Sequence, residues 1–122
     1  MKKILISAVI FIATIFITMT TIGAKMNAEP TQVRASHILV QSEEQAKAIK
    51  NKIKNGETSF EAAAIKYSKC PSGKRGGDLG YFGRKQMVKE FEDAAFVAEK
   101  NEITNPVKTQ FGWHLIKVTD KK

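Results

Sequence analysis

From Ile4 to Ile22 the chain is apolar on every side, broken only by Ser7 and a few threonines, and beyond it the pattern changes character. A run of that length suits a helix in lipid, because the remaining domain is too small to surround a helix hydrophobic all round. Met26 to Gln32 is polar, holds Pro30 and has no period, so it reads as a linker. Val33 to Val40 then alternates, with Ala35, His37 and Leu39 on one face and Ser36, Ile38 and Val40 on the other, which predicts a strand. Ser42 is placed to cap a helix in which Ala46, Ile49 and Ile53 share a face, and Gly56 after Asn55 stops it. Thr58 and Glu61 have capping-box spacing for a second helix, whose stripe is Phe60, Ala63, Ala64 and Tyr67.

The next stretch, Cys70 to Gly80, contains Pro71, Gly73, Gly76, Gly77 and Gly80, and is expected to be a shaped loop rather than a regular element. A short strand around Tyr81 and Phe82 follows, then a helix over Glu90 to Val97 with Phe91, Ala94 and Ala95 inward. Asn105-Pro106 turns the chain into Val107 to Thr109, Gln110 to Gly112 bends it, and Trp113 to Thr119 completes a hairpin. The order predicts an α+β domain with an antiparallel sheet and helices packed over it. The expected division is residues 1–24 as signal peptide or membrane anchor, 25–32 as linker and 33–122 as one domain.

Charge refines this picture only a little. The formal net charge is +8, and Lys2 and Lys3 contribute two of those charges, leaving about +6 on the rest. Basic residues are interspersed with acidic ones from Glu43 to Glu61 and from Glu90 to Glu102, as on solvated helix faces, so no nucleic-acid stripe is expected. Lys2 and Lys3 precede the apolar run and only Lys25 follows it closely, which by the positive-inside bias leaves the domain outside the cytoplasm, membrane-anchored or secreted. Cys70 is the only cysteine, so no intramolecular disulfide can form.

Several chemistries are open to these residues. The glycine-rich loop has neither the Walker spacing nor G-x-G-x-x-G, which removes phosphate cradling. His37 and His114 lie mid-strand among apolar neighbours, so their rings should point into a partly buried space; they are either satisfied core residues or, if adjacent, a hydrogen-bonded pair with a hydroxyl such as Thr109 beside it. With Cys70 they could make three zinc ligands, although no pair has the close spacing of zinc motifs. A thiol-hydrolase dyad of Cys70 and a histidine, oriented by Asp78, is a further reading.

The segment Cys70-Pro-Ser-Gly-Lys-Arg-Gly-Gly-Asp-Leu-Gly80, followed by Phe82, Gln86-Met87-Val88, Phe91 and Thr109-Gln-Phe-Gly-Trp-His114, resembles the parvulin signature, and His37 in Ala-Ser-His-Ile-Leu-Val completes it. The resemblance spans Val33 to Thr119. It implies a parvulin-like (FKBP-like) fold, a four-stranded antiparallel sheet wrapped by helices, here preceded by one hydrophobic N-terminal helix. It also implies peptidyl-prolyl cis/trans isomerisation of proline-containing polypeptides, a rotation that requires neither cofactor nor metal. By matching positions, His37, Cys70, Thr109 and His114 correspond to the polar centre. Leu79, Met87 and Phe91 correspond to the proline pocket, with Phe82 and Phe111 nearby. The chain departs from relatives at Lys89, where proline is frequent, and at Gln41 to Glu44, which carries no basic loop; no tryptophan-motif module precedes the domain. A requirement for phosphate before proline is therefore not expected. The alternative function is a non-catalytic polypeptide-binding chaperone using the same pocket, and the membrane contact would come from the N-terminal segment.

Overall fold

The computed structural model describes residues 29–122; the expected N-terminal helix and the first half of the linker lie outside the described residues. The described elements run β1 (Gln32–Val40), α1 (Glu43–Lys54), α2 (Phe60–Tyr67), a 3-10 turn (Pro71–Arg75), β2 (Asp78–Gly83), α3 (Lys89–Val97), β3 (Val107–Thr109) and β4 (Gly112–Lys121). No helix among the described residues is long and apolar enough to cross a membrane.

The strands form one antiparallel sheet in the order β2-β1-β4-β3, so β1 and β4 are central. Both faces of these two strands are covered, which is why β1 reads as an almost continuous buried run. On one face Phe91, Ala95 and Phe96 of α3 pack on Val33, Ala35, Ile116 and Val118. On the other, Ala46 and Ile49 of α1 with Phe60, Ala63 and Ala64 of α2 pack on Ile38, Val40 and Leu115. Side chains alternate between the faces along each strand, which puts His37 and His114 on the α3 side.

Ser42 caps α1 by accepting from the Gln45 N–H at 3.1 Å, and Gly56 leaves it with φ +81°. The cap of α2 differs from the expected capping box. Ser59, not Thr58, accepts from the Ala62 N–H, at 3.0 Å, while the Thr58 hydroxyl turns to the Ser59 carbonyl. Two adjacent hydroxyls competed for one cap, and Ser59 stands directly before the first helical residue. The Cys70–Gly80 loop is also more regular than its glycines suggest: Pro71 opens a 3-10 turn, and β2 begins as early as Asp78 because that segment pairs with β1.

Candidate functional site

β1 and β4 are paired so that His37 lies opposite Ile116 and Leu39 opposite His114, making the two histidines diagonal neighbours on one face. Diagonal positions are about 7–8 Å apart, within reach of ring side chains. The rings meet with centroids 5.1 Å apart and an interplanar angle of 16°. Phe91 stands edge-on to both, 5.4 Å from His37 and 5.3 Å from His114.

Every ring nitrogen of the pair is engaged. His37 Nδ1 lies 3.0 Å from His114 Nδ1. At the outer ends, His37 Nε2 lies 3.1 Å from Ser72 Oγ and His114 Nε2 lies 2.8 Å from Thr109 Oγ1. Thr109 Oγ1 accepts in turn from the Phe111 N–H at 3.1 Å. With both rings neutral, one Nδ1 donates and the other accepts, and the hydroxyls complete the chain in either direction. All four side chains are buried. Burial pushes His37 and His114 each down to about 4, and for His37 the neighbouring His114 adds to the effect.

The loop after α2 is tied to β1 at this point. The Leu39 N–H donates to Ser68 Oγ at 3.1 Å and the Lys69 N–H to the Leu39 carbonyl at 2.8 Å, which sets Cys70 beside the histidines' strand. The loop returns to β1 at Gly77, whose carbonyl accepts from the His37 N–H at 2.9 Å. A Cβ on Gly77 would lie 2.3 Å from the His37 carbonyl oxygen, and its φ is +87°, so only glycine allows this approach.

Opposite, the segment after β2 is held by α3. The buried carboxylate of Glu92 accepts from the Lys85 N–H and from Arg84, the latter at 3.2 Å, and Gln86 Oε1 accepts from the Gly83 N–H at 2.8 Å. The bonds from the Lys85 N–H, which contributes most, and from Arg84 hold the Glu92 carboxyl below the usual carboxylate range. They also present Gln86, Met87 and Val88 to the space above the histidines.

That space is an apolar cavity of about 520 Å³ whose wall includes Leu79, Met87, Val88, Phe91 and Phe111. His37, His114 and Cys70 also line it. Of the residues singled out in the sequence, seven therefore meet at one cavity: His37, Cys70, Leu79, Met87, Phe91, Phe111 and His114. Thr109 stands behind His114 as its hydrogen-bond partner. Phe82 is elsewhere: it is buried in the core with its ring 6.0 Å from Phe91, supporting that ring from behind rather than lining the cavity. Ser72 escaped the sequence reading. Its only signal was a hydroxyl two residues after Cys70, and nothing in a glycine-rich loop says which way a serine points.

Neither alternative chemistry draws support from the described residues. Among the described residues no three His, Cys, Asp or Glu side chains converge as a metal-ligand set. For the hydrolase dyad, the ring nitrogens are consumed by each other, Ser72 and Thr109, leaving no base for Cys70. Asp78 is likewise committed to Arg34 at 2.6 Å and to the Gly80 N–H at 2.9 Å.

Comparison with known proteins agrees with this reading. A family model described as "Rotamase: PPIC-type PPIASE domain" matches residues 26–120. Foldase protein PrsA 1 of Bacillus cereus is 51% identical over 106 residues, covering 86% of this chain and 36% of that protein. The chain thus spans about a third of the length of the curated relatives it matches. A crystal structure of the peptidylprolyl isomerase PrsA from Bacillus anthracis superposes with a TM-score of 0.73 at 44% identity, covering 80% of this chain and 45% of that one. The parvulin NmPin of Nitrosopumilus maritimus superposes with a TM-score of 0.69 at 40% identity, covering 76% of this chain and all of NmPin.

Proposed function

The chain belongs to the parvulin family of PPIC-type peptidyl-prolyl cis/trans isomerases, and from that premise we propose how its domain turns X-Pro bonds and in which polypeptides. The observation that carries the reading is an apolar cavity closed at one end by a fully satisfied, uncharged polar chain.

Resonance holds an amide planar behind a barrier of about 18–20 kcal/mol, and X-Pro bonds exchange over tens of seconds or more. An isomerase has to favour the twisted bond over the planar one. Leu79, Met87 and Phe91 grip the pyrrolidine ring, and Phe111 at the rim covers it. The carbonyl on the other side of the bond then sweeps past Cys70 and the histidine pair. The planar amide is the more charge-separated form, so an apolar pocket floored by uncharged histidines disfavours it relative to the twisted state, in which resonance is lost. Neutral histidines serve this purpose where charged ones would not. Ser72 and Thr109 hold the rings in place from either end, and Cys70 is a neighbour of the turning carbonyl rather than a nucleophile. No basic residue lies in Gln41 to Glu44 after β1, so a phosphate before the proline is not required.

The substrates are polypeptides outside the cytoplasm. This placement rests on Lys2 and Lys3 ahead of the apolar run, which acts as anchor or signal, and relatives named foldases agree with a folding role. The test is the relaxation of a proline peptide started from an excess of cis isomer, with and without the protein. Acceleration that falls with Met87→Ala and His114→Ala supports isomerisation. Binding of the peptide with an unchanged relaxation rate would replace it with a holding chaperone.

A further inference from the structure

Two concave surfaces meet on the loop that follows α2. Lys69, Cys70 and Pro71 form one side of the histidine cavity, and the same three residues form one side of a neighbouring groove completed by Ile65, Gly73 and Lys74. An extended chain advances about 3.3–3.6 Å per residue, so a polypeptide with its proline in the cavity can lay an adjacent residue across Lys69–Pro71 into this groove.

The charges there are of one sign. Lys69 is the charged residue of the cavity wall, Lys69 and Lys74 are those of the groove, and no acidic side chain among the described residues lines either. Among the described residues four other lysines pair with carboxylates, Lys47 with Glu43, Lys89 with Asp93, Lys100 with Asp120 and Lys117 with Glu61, while several more, such as Lys54 and Lys108, do not; what sets Lys69 and Lys74 apart is that they share one groove that adjoins the cavity. None of the ion pairs among the described residues uses Lys69 or Lys74. The main chain at Lys69 is tied to β1, its backbone N–H donating to the Leu39 carbonyl at 2.8 Å. The same groove offers the exposed side chain of Ile65, which is 64% accessible. Two unmatched cations beside an apolar patch suit a side chain with a short hydrocarbon stem and a carboxylate.

We propose that this groove is a substrate subsite that selects an acidic residue next to the proline, with Lys69 as its specificity-determining residue. The proposal deepens the isomerase reading and rests on the cavity taking the proline ring. Because both lysines are exposed, the selection is modest and salt-dependent, and it acts on KM rather than on kcat.

The test uses the full chain in a non-ionic detergent and two peptide series, one varying the residue before proline and one the residue after it, each with Glu, Ala and Lys. Binding is read by fluorescence anisotropy and turnover by cis-to-trans relaxation. The expected result is a Glu peptide favoured over its Lys counterpart by roughly two- to five-fold in kcat/KM in one series, shrinking at 0.5 M salt, a range set by exposed charge pairs. Lys69→Arg should keep that ratio and Lys69→Glu should reverse it, with Lys74→Glu weakening it. Equal values for Glu and Lys peptides in both series, or a ratio unmoved by Lys69→Glu, would overturn the proposal. If the peptides bind in the expected order without any acceleration, the subsite stands and the isomerase reading falls; if none binds, the subsite falls as well.

Discussion

His37 and His114 face each other through like atoms, Nδ1 to Nδ1 at 3.0 Å, so one proton serves both rings and a second would break the contact. The consequence is a site that should ignore pH where free histidines titrate. Each ring is pushed from 6.5 to about 4. The unfolded chain therefore binds protons near pH 6.5 that the folded one refuses until about pH 4. Stability is full above pH 6.5, falls as the pH drops from there toward 4, and levels off with respect to these groups below that. The acid-limit loss for the pair is on the order of a few kcal/mol. Turnover should show no inflection near pH 6.5, and the ring-proton shifts of both histidines in the folded protein should stay constant from about pH 8 to 5.5, given their unperturbed value. A titration step near 6.5 in either ring would mean that the pair is open.

Cys70 lines the cavity but has no histidine nitrogen left to deprotonate it, since those atoms are already bonded to one another, Ser72 and Thr109. A thiol that acts as a neighbour can be replaced by a hydroxyl of similar size. Cys70→Ser should keep kcat/KM within about ten-fold of the parent, whereas loss of an activated nucleophile typically costs several orders of magnitude. Alkylating Cys70 should slow the enzyme by obstructing the cavity, and the Ser variant should be indifferent to the reagent. Peptide relaxation before and after iodoacetamide treatment measures both.

Most of this architecture could be read from the chain because its cues are local. The alternation from Val33 to Val40, the Ser42 cap and the spacing of Phe91 and Ala95 each fix an element without reference to the rest. The approach of His37, His114 and the Thr109 hydroxyl was legible as well, though the roles of Cys70, Leu79, Met87 and Phe91 came from resemblance, since apolar side chains otherwise read as core. What stayed hidden depends on tertiary approach. Ser72 points inward only because the 3-10 turn folds back against β1, and Phe82 lies behind Phe91 because β2 pairs where it does. The Ser59 cap turned on one residue of offset, a margin below the resolution of spacing rules.

Two glycines with similar backbone angles should respond differently to the same change. Gly56 has φ +81° and nothing within 4 Å of an added Cβ, while Gly77 has φ +87° and the His37 carbonyl at 2.3 Å. Gly56→Ala carries only backbone strain, about 1 kcal/mol. Gly77→Ala carries strain of the same kind plus displacement of the strand residue that holds the Nδ1 contact, so it should cost at least about 3 kcal/mol and lower turnover in whatever remains folded. Urea midpoints for the pair, with peptide relaxation measured under conditions where each is folded, test the contrast. Equal losses would show that the loop can retreat from β1.

Met87 and Phe91 share the cavity wall and differ in what stands behind them. Phe91 is 2% accessible, packs in the α3 core and touches both histidine rings, so it belongs to the site and to the fold together. Met87 is only partly buried, held from the Glu92-braced segment, and its removal empties space that already opens to solvent. Phe91→Ala should therefore cost about 3–5 kcal/mol of stability. Met87→Ala should cost about 1 kcal/mol or less while weakening the grip on the proline ring by the transfer energy of a few methylenes, roughly ten-fold in kcat/KM. Thermal or urea unfolding of each variant beside peptide relaxation separates the two. A Met87→Ala protein that turns over proline peptides at the parental rate would remove this side chain from the proline-binding wall.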